Sequence, residues 1–176
     1  MRHPPRFHRP SRLARRIVAT IDNLPRPTVA IDARPVRPVS GPLAVTAGQG
    51  APAIGADNAA RYAQYVSALA SVDSHALVAA YARFYPLLQQ AYRDLGYPDG
   101  YFNDRLVAVL DHLLAAPQPQ GPVALVQPKV LYEFADPALE SLSAGQKIMV
   151  RIGPDNEARV KAKLAEIRRL VATQKR

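Results

Sequence analysis

The chain has 176 residues, no cysteine, no tryptophan and a formal net charge of +9 at pH 7. Without cysteine it has neither disulfides nor thiolate metal sites. No apolar run approaches the roughly 18 residues of a membrane span, and the basic start Met1-Arg-His-Pro-Pro-Arg lacks the apolar stretch of a secretory signal.

The charge is unevenly spread. Residues 1–40 carry nine Arg against Asp22 and Asp32, and residues 158–176 carry seven Lys or Arg against Glu166. Residues 41–157 carry seven basic and eleven acidic residues. A dedicated nucleic-acid domain more often puts its positive charge on the folded body, so no specific nucleic-acid partner is expected. Basic ends fit loose attraction to a membrane surface or an acidic partner.

Arg12 to Ile21 reads as an amphipathic helix, with Leu13, Ile17 and Ile21 on one face and Arg12, Arg15 and Arg16 elsewhere. Pro25 and Pro27 stop it. Nine of the seventeen prolines precede residue 53, and proline removes a backbone donor, so residues 24–56 read as an extended arm. Val29, Ile31, Val36, Val39, Leu43 and Val45 are its apolar anchors, richer than a pure linker would carry.

Every aromatic except Phe7 falls between Tyr62 and Phe134, which centres the core there. Asp57 is expected to cap a helix bearing Tyr62, Tyr65, Val66 and Leu69. Asp73 or Ser74 opens the next, where Leu77, Tyr81, Phe84, Leu88, Ala91 and Leu95 keep helical phase through Pro86. Gly96 is its left-handed end, and Tyr97-Pro-Asp-Gly-Tyr-Phe is a turn. Asn103 then caps a helix with Leu106, Val109, Leu110, Leu113 and Leu114 on one side.

Val123–Val126 and Val130–Phe134 are too short to assign by period: both read as short strands, or the second as the start of a helix. Asp136-Pro137 marks a helix start through Leu142, and Ser143 with Gln146 fits a capping box. Asp155 is expected to cap the last helix, with Val160, Leu164, Ile167 and Val171 as its apolar stripe. Tyr81, Phe84, Leu88, Leu106, Val109, Leu110, Leu113 and Leu164 are expected in one core.

The catalytic motifs are missing. No serine sits in a Gly-x-Ser-x-Gly elbow, and His75 and His112 lack partners at a metal-ligand spacing. No metal and no cofactor are expected. The densest polar segments are Tyr97–Arg105 and Lys129–Asp136, giving Tyr97, Tyr101, Asp104, Arg105, Lys129, Tyr132 and Glu133 as candidate ligand-binding residues. Carboxylates beside tyrosines suit acid–base work on a small substrate. The plainer reading gives the same residues structural work: Asp99-Gly100 as a turn, Asp104 at a helix dipole, Arg105 paired with a carboxylate.

Three long runs carry a resemblance: Arg15–Pro27 (Arg-Arg-Ile-Val-Ala-Thr-Ile-Asp-Asn-Leu-Pro-Arg-Pro), Tyr81–Arg105 and Lys129–Lys147. They resemble the bacterial family catalogued as domain of unknown function 3014, over most of residues 15–172. The resemblance assigns no activity or binding residue. It implies a cell-envelope location, because members usually begin with one membrane-spanning helix. Here a basic, proline-rich dozen residues stand before the Arg-Arg-Ile-Val-Ala-Thr segment instead, which leaves a cytoplasmic location open.

The expectation is a mainly α, compact bundle of five or six helices with a proline-rich N-terminal arm and one short β-hairpin. Its divisions are a basic segment 1–23, the arm 24–56 and a helical globular domain 57–176. As a function it reads as a non-enzymatic interaction or scaffold domain whose partner is another envelope protein. The alternative is a small-ligand-binding or hydrolytic domain using Tyr97–Arg105 and Lys129–Asp136. A membrane surface is a further partner through the basic ends.

Overall fold

The computed structural model describes residues 11–28, 39–46 and 50–173. Among them are seven helices: α1 (Arg12–Asn23), α2 (Asp57–Ser71), α3 (Ser74–Asp94), α4 (Phe102–Leu114), α5 (Pro137–Glu140), α6 (Ala144–Arg151) and α7 (Pro154–Ala172). Four two-residue strands complete them: β1 (Val45–Thr46), β2 (Ala53–Ile54), β3 (Leu125–Val126) and β4 (Glu133–Phe134). The architecture is a mainly helical bundle. The described residues hold two antiparallel strand pairs, β1 with β2 and β3 with β4, where one hairpin was expected. A bridge between Ala53 and Ala124 joins the two pairs. No helix among the described residues is long and apolar enough to cross a membrane.

Helix α7 packs on α2, α3 and α4, and α1 packs on α3 and α4. The amphipathic spacing of α1 brings it into the bundle, but on a face rotated by one residue from the expected one. Ala14, Val18 and Asp22 are buried, Ile17 and Ile21 are half-buried, and Leu13 is 57% exposed. The chain then turns at Leu24 and Pro25, and residues 24–26 contact α6: Gly145 N donates to Leu24 O at 2.9 Å and Ala144 N to Arg26 O at 2.8 Å. Gly145 permits this approach. A Cβ there would lie 2.6 Å from Leu113 Cδ2 and 3.0 Å from Leu24 O.

Among the described residues, buried apolar side chains gather in separate clusters where the sequence suggests one core. Ala14, Val18, Leu88, Ala91, Tyr92 and Phe102 join α1, α3 and α4. Ala116, Met149 and Ile152 lie against Tyr62 and Val160. Leu125, Phe134 and Val150 underlie the strands. Leu88, Val109, Leu110 and Leu113 are buried as expected, while Tyr81, Leu106 and Leu164 are half-buried. Phe84 is a correction: it is 53% exposed, because the inner face of α3 follows Val78, Tyr81, Tyr85, Leu88 and Tyr92 and leaves Phe84 at its margin.

Several helix ends follow the sequence. Asp73 caps α3 and Asp136 caps α5, with Pro137 opening the helix. Ser143 Oγ accepts from Gln146 N to cap α6. Gly96 ends α3 at φ +117°, which an L side chain rarely adopts. Three expected caps are corrected. Helix α2 starts from Ala56, with Asp57 as its first residue. Helix α7 starts from Gly153 and Pro154, with Asp155 inside its first turn. Helix α4 starts from Tyr101, whose side chain makes no cap. Gln89 of α3 caps it from across the interface, its Oε1 accepting from Phe102 N at 2.8 Å.

Of the proline-rich stretch, the described residues 39–46 lie on the bundle. Arg61 Nη2 donates to Ser40 O and Gly41 O, and Ala44 N donates to Asn58 Oδ1. Leu43 and Val45 pack against the strand cluster. The expected anchors Val29, Ile31 and Val36 lie outside the described residues.

Candidate functional site

The segment from Tyr97 to Arg105 joins α3 to α4 and meets the end of α1. Tyr97 and Gly100 close a turn, with Gly100 N donating to Tyr97 O at 3.2 Å. Gly100 does not have positive φ; its role is close approach, since a Cβ would sit 3.1 Å from the Tyr92 ring. The Tyr97 ring stacks on Tyr92 at 4.5 Å between centroids.

At the centre lies a residue absent from the sequence-based candidates. Asp22, near the end of α1, is 1% exposed. Arg105 Nε donates to its Oδ1 at 2.8 Å, Arg26 Nη2 to its Oδ2 at 2.8 Å, and Tyr97 OH to Oδ2 at 3.2 Å. Arg105 Nη2 also donates to the Asp22 backbone oxygen at 2.7 Å. A buried carboxylate must be paired and hydrogen-bonded to stay charged at reasonable cost. These donors do that, and they pin α1, α4 and the turn together. Tyr97 and Arg105 are therefore brought together, but on an internal acid.

The other candidates lie elsewhere. Tyr101 and Asp104 are exposed at the start of α4, both engaged in interactions within the protein, and Asp104 lies in the first turn where a helix favours negative charge. Asn103 is buried at the second helical position, and its Oδ1 accepts from Tyr81 OH at 2.9 Å. In the second segment Tyr132 packs on the Leu125, Phe134 and Val150 cluster, Glu133 is half-buried in β4, and Lys129 is exposed. The ion pair there belongs to Glu140 and Lys147, with Glu140 Oε2 also accepting from Phe134 N at 2.8 Å. Burial alone would raise the Glu140 carboxyl, but these hydrogen bonds outweigh it and leave its pKa lowered.

The tyrosines around α3 are held protonated. Burial raises Tyr81, with the Tyr85 and Asp104 charges adding to it, and burial likewise raises Tyr85 and Tyr92. Tyr81 and Tyr85 act as hydrogen-bond donors, to Asn103 Oδ1 and Gln89 Oε1. His112 Nε2 lies 2.8 Å from the capping Ser143 Oγ, and Ser143 is buried, so this contact joins α4 to α6. Among the described residues no three His, Asp or Glu gather in a group that would hold a metal ion.

The basic α7 is engaged within the fold. Arg168 makes a two-pronged pair with Asp111, Lys161 pairs with the buried Glu157, and Lys163 reaches Val72 O, Ser74 Oγ and Glu166. Arg159 Nη2 donates to Ser67 Oγ.

The loop between β3 and β4 differs. Val130 is 86% exposed and Leu131 76% exposed, beyond any other large apolar residue described. Gln127 Nε2 donates to Val130 O at 3.0 Å and shapes the tip. The sequence alone leaves these two residues open between a short strand and the start of a helix. The available signal was Pro128, which separates Val126 from Val130 and favours a turn there.

No curated protein and no solved structure matches the chain. One family model does, over residues 13–168, and its description is "Protein of unknown function (DUF3014)". The match spans every helix from α1 to most of α7, and the chain belongs to that family.

Proposed function

We propose that this domain works by binding rather than catalysis, as a non-enzymatic interaction or scaffold domain of the bacterial cell envelope. Its contact surface is the β3–β4 tip, residues 127–132, and its partner is another envelope protein. The observation that carries this reading is the pair Val130 and Leu131, 86% and 76% exposed side by side. Full burial of an aliphatic side chain of this size is worth about 1.5–3 kcal/mol, so exposing two of them forgoes stability that a partner recovers. The tip is also shaped in advance by the Gln127 bond, which lowers the ordering cost of binding.

The competing reading, a ligand cleft at Tyr97–Arg105, is weakened because Tyr97 and Arg105 are spent on Asp22. The envelope location rests on the family, whose members usually carry a membrane-spanning helix.

A photo-crosslinking amino acid placed at Leu131 tests the proposal. In cells it should give a discrete crosslinked protein species from the envelope fraction. The same group at Phe84, another exposed apolar site, on α3, should not. No species from position 131, or the same species from both positions, would contradict the proposal.

A further inference from the structure

The two outer edges of the strand region differ. Ile54 N donates to Val123 O and Leu125 N to Pro52 O, so β2 also pairs with β3, and the strands lie side by side in chain order with β1 and β4 outermost. In antiparallel pairing, successive residues point their backbone groups alternately toward and away from the neighbouring strand. Ala135 N donates to Ala124 O, so Phe134 turns its N–H outward from β4, where Glu140 Oε2 accepts it. That edge is closed by a side chain, itself paired with Lys147. On the opposite edge, Gly55 N donates to Ala44 O, so Val45 turns its N–H and C=O outward from β1. Neither group has a hydrogen-bond partner among the described residues. Charged side chains are a usual means of keeping an edge strand from pairing with another chain, and the sequence has none between Arg37 and Asp57. The edge is also firmly mounted: Arg61 holds Ser40 O and Gly41 O, Asn58 holds Ala44 N, and Leu43 and Val45 pack on the strand cluster.

We propose that two copies of this chain associate through this open edge, β1 of one pairing antiparallel with β1 of the other about a two-fold axis at Val45. Val45 N–H of each copy then donates to Val45 O of its partner, and the strands form one sheet across the pair. Two features favour a second copy over a foreign strand. The edge is self-complementary, since Val45 meets Val45 and Ala44 meets Thr46 with no like charges opposed. The chain also carries a net charge of +9, so two copies repel, and a neutral strand is where they approach at least cost. Pro42 has no backbone N–H and ends the pairing on its side. This edge lies across the strands from β4 and is separate from the β3–β4 tip, so its test is independent of that one.

The test follows the full chain by analytical ultracentrifugation over a range of concentrations. The parent should pass from monomer to dimer as concentration rises, and the dimer should strengthen with salt, which screens repulsion between two cationic chains. Hydrogen exchange at the Val45 amide should slow as the dimer forms. Thr46→Lys brings like charges to the seam and should leave the chain folded by circular dichroism but monomeric where the parent is dimeric. Val45→Pro removes the outward N–H, a change that an edge strand tolerates, and should do the same. The tip variant with Val130→Ser and Leu131→Ser should dimerise as the parent does. A parent that stays monomeric, a folded Thr46→Lys or Val45→Pro that dimerises as the parent does, an unslowed Val45 amide in the dimer, or loss of the dimer in the tip variant would each overturn the proposal.

Discussion

Arg105→Ala should be among the most damaging single changes at the junction of α1, α3 and α4. Asp22 is 1% exposed and its Oδ1 accepts from Arg105 Nε at 2.8 Å. Removing the guanidinium leaves a buried carboxylate oxygen without that charge and the Asp22 backbone oxygen without its donor. Breaking a buried pair from one side costs about 3–5 kcal/mol. Arg26 and Tyr97 still face Oδ2, so the expected cost is at the lower end, about 3 kcal/mol. For a chain of this length that lowers the melting temperature by about 6–12 °C. Arg26 is half exposed and water replaces much of what it gives, so Arg26→Ala should cost only about 0.2–1 kcal/mol. Urea unfolding followed by circular dichroism measures both, and a cycle with Asp22→Asn should return a coupling of about 1–3 kcal/mol for the Arg105 pair. Arg105→Ala within about 0.5 kcal/mol of the parent, or equal costs at Arg26 and Arg105, would refute the assignment of Asp22 as the buried hub.

Three further outcomes follow from particular contacts. Gly145→Ala forces a Cβ to within 2.6 Å of Leu113 Cδ2 and should destabilise by about 1–3 kcal/mol in a thermal melt, whereas Gly50→Ala, in open space, should not. Asn103→Ala should cost about 1–3 kcal/mol by stranding the Tyr81 hydroxyl, and adding Tyr81→Phe should restore part of the loss; no restoration would return Asn103 to a capping role. Glu140 has a folded pKa below its ordinary value of 4.5, so its contribution is complete above that value and is lost as pH falls through the folded one. Melting temperatures of Glu140→Gln should therefore fall less steeply than the parent's below about pH 4.5, and parallel curves would count against this pair.

What the sequence made legible was mostly local. Asp73, Asp136 and Ser143 cap helices within three residues of themselves, and Gly96 ends α3, because side chain and target are fixed by the same turn of chain. Much of the rest depends on a partner far away in sequence. Arg105 does pair with a carboxylate as expected, but the sequence could not name it, because it stands 83 positions earlier, in a helix assigned to a separate segment. Asn103 looked like a cap, yet the capping is done by Gln89 from another helix, which frees Asn103 to face Tyr81. The inner face of α1 was read from Leu13, Ile17 and Ile21, the most apolar series. The bundle instead buries Ala14, Val18 and Asp22, because small residues let helices approach and Arg105 waits for the acid. Of the candidate site, Tyr97 and Arg105 converge on Asp22, and Tyr132 belongs to a different cluster. Exposure at Val130 and Leu131 was hidden because an apolar run reads as buried until its neighbours are known.

The most direct test measures melting temperature and envelope-fraction binding on the same variants. Val130→Ser with Leu131→Ser should melt with the parent and lose binding. Asp104→Asn and Glu133→Gln should retain both stability and binding, while Arg105→Ala loses stability. A tip variant that binds as the parent does, beside a stable Asp104→Asn or Glu133→Gln variant that no longer binds, would place the site in the polar segments and contradict the role given to the tip.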